Sequence, residues 1–116
     1  MGRMDKVNNQ MRREISIIIH QKMDDPRMSY ITITHVDVSP DLKNAKVYFS
    51  VLGDENNLIE AVTVLNNARG LIRHMVSQQI QIRHTPEIYF IQDDSMSMEA
   101  KIEETIREAN DKHEKN

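Results

Sequence analysis

Leu65-Asn66-Asn67-Ala68-Arg69-Gly70-Leu71-Ile72-Arg73 lies at the centre of the longest helix-patterned run in the chain. Leu58, Val62, Leu65 and Ala68 set an apolar stripe before the glycine. Leu71, Ile72, Met75 and Val76 resume the same period, which carries on to about Ile80. Glycine inside a helix costs about 1 kcal/mol relative to alanine, so a bend between two helical pieces is expected at Gly70. Asp54 stands where an N-terminal cap is needed. A helical segment of this length has room to serve as a crossover to a third strand, and that decides the fold class.

Strands flank the run on both sides. Upstream, Ala45, Val47, Phe49 and Val51 alternate cleanly, and Gly53-Asp54 ends them. Before that, Ile31 and Ile33 alternate in one phase and Val36 and Val38 in the other, which predicts a bulge near His35. Ser39-Pro40-Asp41 is turn chemistry between the two strands. Downstream, Ile82, Ile88 and Phe90 predict a third strand reached through Pro86. At the N-terminus, Val7, Met11, Ile15, Ile18 and Met23 predict an amphipathic helix over Asp5–Met23. Asp24-Asp25-Pro26 ends it, because the residue before a proline avoids the helical region. Met98, Ile102, Ile106 and Ala109 predict a last helix capped by Ser97, with a frayed polar end from Asn110. The expectation is an α+β fold, a three-stranded sheet with helices packed on one face. Residues 1–95 form one domain, and 96–116 a C-terminal helix and acidic tail.

Composition narrows the chemistry. The chain has 116 residues, enough for one domain with its own core, and no cysteine. Disulfides, thiolate metal sites and cysteine nucleophiles are excluded, and a reducing cytoplasm is the expected location. No apolar run reaches membrane-span length, and the polar N-terminus leads to no signal-peptide pattern. Only three glycines are present, Gly2, Gly53 and Gly70, so a Walker A loop, a dinucleotide fingerprint and a nucleophile elbow are absent. None of the five histidines pairs with another at metal-ligand helix spacing. Asp24-Asp25 and Asp93-Asp94 suit helix termination and turns better than acid–base work. Met11, Met23, Met75 and Met98 fit helix stripes, as core packing requires. No catalytic residue, metal site or cofactor is expected.

The net charge of −3 hides an uneven distribution. Residues 93–116 hold eight acids and four bases, and setting them aside leaves 10 acids against 11 bases. Residues 61–86 carry Arg69, Arg73 and Arg83 with no acid at all. A near-neutral chain can therefore present a basic surface to a polyanion, although scattered solvated charge also fits the composition. Aromatic residues are few (Tyr30, Tyr48, Phe49, Tyr89 and Phe90), which disfavours a sheet that stacks single-stranded bases. The bend offers more. Amides at the start of a second helix, its dipole, and Arg69 and Arg73 four residues apart would suit a phosphate. A plain helix corner with solvated arginines is the other reading of the same residues.

Taken in order, the pieces resemble the ribosome-binding factor A family over about residues 4–95. Lys6-Val7 and Arg12-Arg13-Glu14-Ile15 resemble its first helix, and Asp25-Pro26-Arg27 the turn after it. Thr32-Ile33-Thr34-His35-Val36, Val38-Ser39-Pro40-Asp41-Leu42 and Ala45-Lys46-Val47-Tyr48 resemble its strand pair. Leu65 to Arg73 resembles its kinked helix, and Arg83-His84-Thr85-Pro86-Glu87-Ile88, with Phe90 and Asp93, its last strand. Lys6 stands where arginine is usual, and the tail is short and acidic where the family's is long and basic. The resemblance implies a type II KH-like domain with a kink at Ala68-Arg69-Gly70 in place of a Gly-x-x-Gly loop. It also implies binding to the free 30S subunit through 16S ribosomal RNA, help in late maturation including at low temperature, and action beside assembly GTPases.

The expected mechanism is docking on folded RNA through phosphate contacts, without hydrolysis, by a monomer. The residues expected to carry it are Lys6, Arg12 and Arg13 on the first helix, Asn67, Arg69, Gly70 and Arg73 at the kink, and Arg83 beside the third strand. Lys22, Arg27, Lys43 and Lys46 are weaker candidates. All are expected to converge on one surface. A protein-interaction module without RNA contact is the alternative, and it calls for an exposed apolar patch on the outer sheet face. A hydrolase using His74 or His84 lacks an evident nucleophile.

Overall fold

The computed structural model of the chain describes residues 2–93. The predicted last helix and the acidic tail lie outside the described residues. The first helix, α1, spans Arg3–Ile17 and continues into a π-helical turn over Ile18–Lys22. The wider turn adds a residue, so Ile18 and Ile19 both reach the core beside Met11 and Ile15. Asp24 follows with φ 53°, a left-handed conformation that aspartate tolerates, and turns the chain. A 3₁₀ turn over Pro26–Tyr30 is capped by Asp25, which accepts the Arg27 N–H at 3.0 Å.

Strand β1 covers Ile31–Val38 and β2 Asn44–Val51, paired antiparallel. Ile33 pairs with Phe49 and His35 with Tyr48, which leaves Thr34 as the extra residue of the expected bulge. The bulge resets the phase, so Ile31, Ile33, Val36 and Val38 all face the core. Gly53, at φ +119°, lets the chain leave β2 into Asp54, the cap of helix α2, Glu55–Gln79. Asp54 Oδ1 accepts the Asn57 N–H, and Asn57 Oδ1 accepts the Asp54 N–H, each at 3.0 Å. Strand β3, Glu87–Gln92, then pairs parallel to β2, giving the order β1-β2-β3.

The architecture is α+β and KH-like. Its core joins Met11, Ile15 and Ile18 of α1 with Leu65, Ile72 and Val76 of α2, over Val36, Val47, Phe49 and Ile88 of the sheet.

Three expectations need correction. Helical hydrogen bonding runs through Ala68-Arg69-Gly70 without a break, so the segment is one helix and no second N-terminus opens there. The amides expected to meet an anion belong to a helix interior, where they are already bonded. Val62 and Leu71 are 37% and 49% exposed, because the buried stripe runs through Ala61, Leu65, Ile72 and Val76 and each lies one residue off it. Ile82 precedes β3, as part of a bent connection held half-buried against the core.

Candidate nucleic-acid interface

A buried stripe on one side of α2 fixes what the other side shows. Asn66, Asn67, Arg69, Gly70, His74 and Ser77 are exposed, and no carboxylate occurs from Ala61 to Pro86. Arg69 and Arg73 sit one turn apart on the flank facing β3. The Arg69 guanidinium lies 5.7 Å from the centre of the Tyr89 ring, which is 44% exposed on β3. Among the described residues, Arg69 takes part in no ion pair with a carboxylate.

Arg73 is more heavily engaged. Its Nε donates to the Thr85 and Pro86 carbonyls at 3.2 and 3.1 Å, and its Nη2 to Thr85 at 2.7 Å. Its Nη1 lies 3.2 Å from Glu87 Oε2. These contacts use most of its donors and tie α2 to the start of β3.

Gly70 points outward. A Cβ built on it would meet nothing within 4 Å, so no internal packing requires a glycine there. Asn67 is exposed but lies two residues, roughly 200°, round the helix from Arg69, on a different side.

Arg83 sits in the connection between α2 and β3. It lines an open cleft of about 330 Å³ with Arg73, His74, Ser77, His84 and Thr85. Ser77 Oγ donates to the His74 carbonyl at 2.5 Å, so it is turned onto its own helix and forms no serine–histidine pair.

The first-helix cations stand apart. Lys6, Arg12 and Arg13 are all exposed. Asn8 Oδ1 accepts the Val38 N–H at 2.9 Å at the free edge of β1, and Arg12 follows one turn later on that flank. Arg69 reaches the opposite sheet edge at β3. The structure brings Arg73 and Arg83 to one cleft, leaves Arg69 one turn from Arg73 over Tyr89, and sets Arg12 toward the opposite sheet edge. Arg27, a weaker candidate, is held by Asp25 through Nε at 3.1 Å and Nη2 at 2.8 Å. The same hydrogen bonds hold the Asp25 carboxyl below its usual range.

The outer sheet face shows Thr32, His35, Asp37, Lys46 and Tyr89. Among the described residues, the large exposed apolar side chains lie elsewhere, Tyr89 excepted. The described residues hold no group of three histidine or acidic side chains able to bind a metal, and no helix long and apolar enough to cross a membrane. Sequence reasoning missed Tyr89 as the support of Arg69, and His74, Ser77 and His84 as neighbours of Arg83. The signal was present in the i, i+4, i+8 spacing of Arg69, Arg73 and Ser77.

The family model described as ribosome-binding factor A matches residues 3–106. A curated ribosome-binding factor A from Acetivibrio thermocellus is 41% identical over 109 residues, covering 93% of this chain and 89% of its own. The crystal structure of ribosome-binding factor A from Thermus thermophilus superposes with a TM-score of 0.69 at 23% identity, over 79% of this chain and 97% of the other. A homology model of the Thermus factor, fitted into a cryo-electron microscopy map of its 30S complex, gives a TM-score of 0.62 at 23% identity, over 75% and 91%.

Proposed function

The chain belongs to the ribosome-binding factor A family, and from that premise we propose that it docks on the 30S ribosomal subunit through 16S ribosomal RNA and assists late maturation, including at low temperature. The observation that carries this reading is the outer side of α2: Arg69 without a carboxylate partner among the described residues, an open Gly70, and no acid from Ala61 to Pro86. A polyanion meets cations and helix surface there without like-charge repulsion. The Thermus relative described in a 30S complex supports the choice of partner. Phosphate contacts set affinity and register, and RNA shape supplies specificity.

Binding energy alone drives the action, by favouring one RNA conformer over another. The protein works as a cytoplasmic monomer, beside assembly GTPases that supply any hydrolysis. Arg69 is the principal contact, with Arg83 as a further one beyond Arg73. Lys6 and Arg13, seven residues apart on the outward side of α1, form a separate contact, so docking spans two patches.

Co-sedimentation with purified small subunits across a salt series tests the reading. Arg69→Ala should weaken binding and flatten the salt dependence of log K by about 0.7–0.9. Unchanged affinity and unchanged slope would remove α2 from the interface. Binding that survives RNase digestion of the subunit RNA would favour the protein-interaction alternative.

A further inference from the structure

The cleft between the end of α2 and the 80–86 connection, which Arg83 lines, opens past Arg73 rather than at Gly70. We infer that it is a phosphate site, filled in the docked state by one backbone phosphate of RNA; the RNA half of this inference rests on the docking reading above. Three groups lining it can donate to an anion: the Arg83 guanidinium and the His74 and His84 imidazoles. Among the described residues, Arg83 and the two imidazole rings have no partner in the chain.

Charge bookkeeping around the cleft favours an anion. The carboxylate beside it, Glu87, is held by Arg73 Nη1 at 3.2 Å, so that pair is balanced and, among the described residues, Arg83 is left without a carboxylate. Arg73 also holds the cleft open, since its bonds to the Thr85 and Pro86 carbonyls fix the wall carrying Arg83 and His84 relative to the helix carrying His74 and Ser77. At about 330 Å³ the space is at the small end for ligand clefts and admits a phosphodiester more readily than a whole nucleotide. A planar guanidinium and ring N–H groups suit phosphate oxygens.

The experiment has two arms on the full chain, with Arg83→Gln and His84→Gln as variants. Both positions are exposed, so the fold should survive, and a thermal melt checks it. In the first arm, inorganic phosphate is titrated at constant ionic strength against chloride while the side-chain NMR signals of His74, His84 and Arg83 are followed. Saturable shifts at these three residues, lost in Arg83→Gln, support the site. Absent shifts, or shifts that chloride reproduces, overturn it. In the second arm, both variants are sedimented with small subunits across salt. A slope reduced by about 0.7–0.9 in Arg83→Gln identifies the phosphate as RNA backbone. Full binding with an unchanged slope, alongside a lost phosphate response, assigns the cleft to free phosphate and overturns the RNA assignment. Wild-type protein that responds to phosphate but does not sediment with subunits would sink the docking reading and leave the phosphate site standing.

Discussion

Arg73 Nη2 and the Thr85 carbonyl, 12 residues apart, meet at 2.7 Å and close the chain between α2 and β3. Arg73 is thereby a structural clamp before it is anything else. Arg73→Ala should lower stability by about 1–2 kcal/mol, because partly buried carbonyls lose their donors. Urea unfolding should show a lower midpoint with an unchanged slope. Arg73→Lys should recover only part of this, since an ammonium is a point donor and cannot span two carbonyls. A variant of full stability that loses only subunit binding would make Arg73 a contact residue instead.

Gly70→Ala should stabilise the domain. The new methyl group meets nothing within 4 Å, and alanine is the better helix former by about 0.5–1 kcal/mol. A melting rise of roughly 2–8 °C is expected for a domain of this size. If RNA approaches the α2 backbone closely, the same variant should bind subunits more weakly. A variant that is both more stable and equally tight would leave Gly70 with no role in docking.

Asn8→Ala should cost about 1 kcal/mol and speed hydrogen exchange at the Val38 amide. That N–H lies on the free edge of β1 and, among the described residues, is held by the Asn8 side chain. Protection at Val38 should fall in the variant more than at Val47, in the middle of the sheet. Equal loss at both positions would indicate global destabilisation rather than a released edge.

The β1–β2 turn should carry an acid-sensitive contribution. Asp41 Oδ1 accepts from Ser39 Oγ at 2.7 Å and from the Lys43 N–H at 3.0 Å. These bonds, that from Ser39 first, hold its carboxyl below the ordinary value of 3.8. A lowered carboxyl value stabilises the fold fully above 3.8, and the contribution is lost as pH falls through the lower folded value. Asp41→Asn should therefore be less stable than wild type at neutral pH and converge with it in strong acid. A difference independent of pH would show that the charge plays no part.

Much of the fold was legible because local patterns and the core agreed. The phase change between Ile33 and Val36 announced the bulge that the pairing of Ile33 with Phe49 and His35 with Tyr48 displays. Asp54 was legible as a cap because its side chain acts within three residues. Val62 and Leu71 misled because a stripe counted along the chain is blurred by one residue, about 100° of rotation. The opening of a second helix N-terminus at Gly70 was overread for a related reason. A glycine weakens a helix locally, but packing of Leu65, Ala68 and Ile72 on either side carries it through.

The candidate site divides in the same way. Sequence alone determined that residues 61–86 hold arginines and no acid, because charge is a property of residue type. It determined the element order too, because apolar period follows from backbone geometry. Only the tertiary structure decided which arginine, among the described residues, is left without hydrogen-bonded backbone partners. Arg69 and Arg73 are equivalent by spacing, yet one lies over Tyr89 and the other is bonded to carbonyls 12 and 13 residues further on. It also decided that Arg12 and Arg69 serve opposite edges of the sheet, since strand order sets where each helix flank ends up. Side-chain partners of this kind depend on which distant backbone arrives beside them, and residue type and spacing do not encode that.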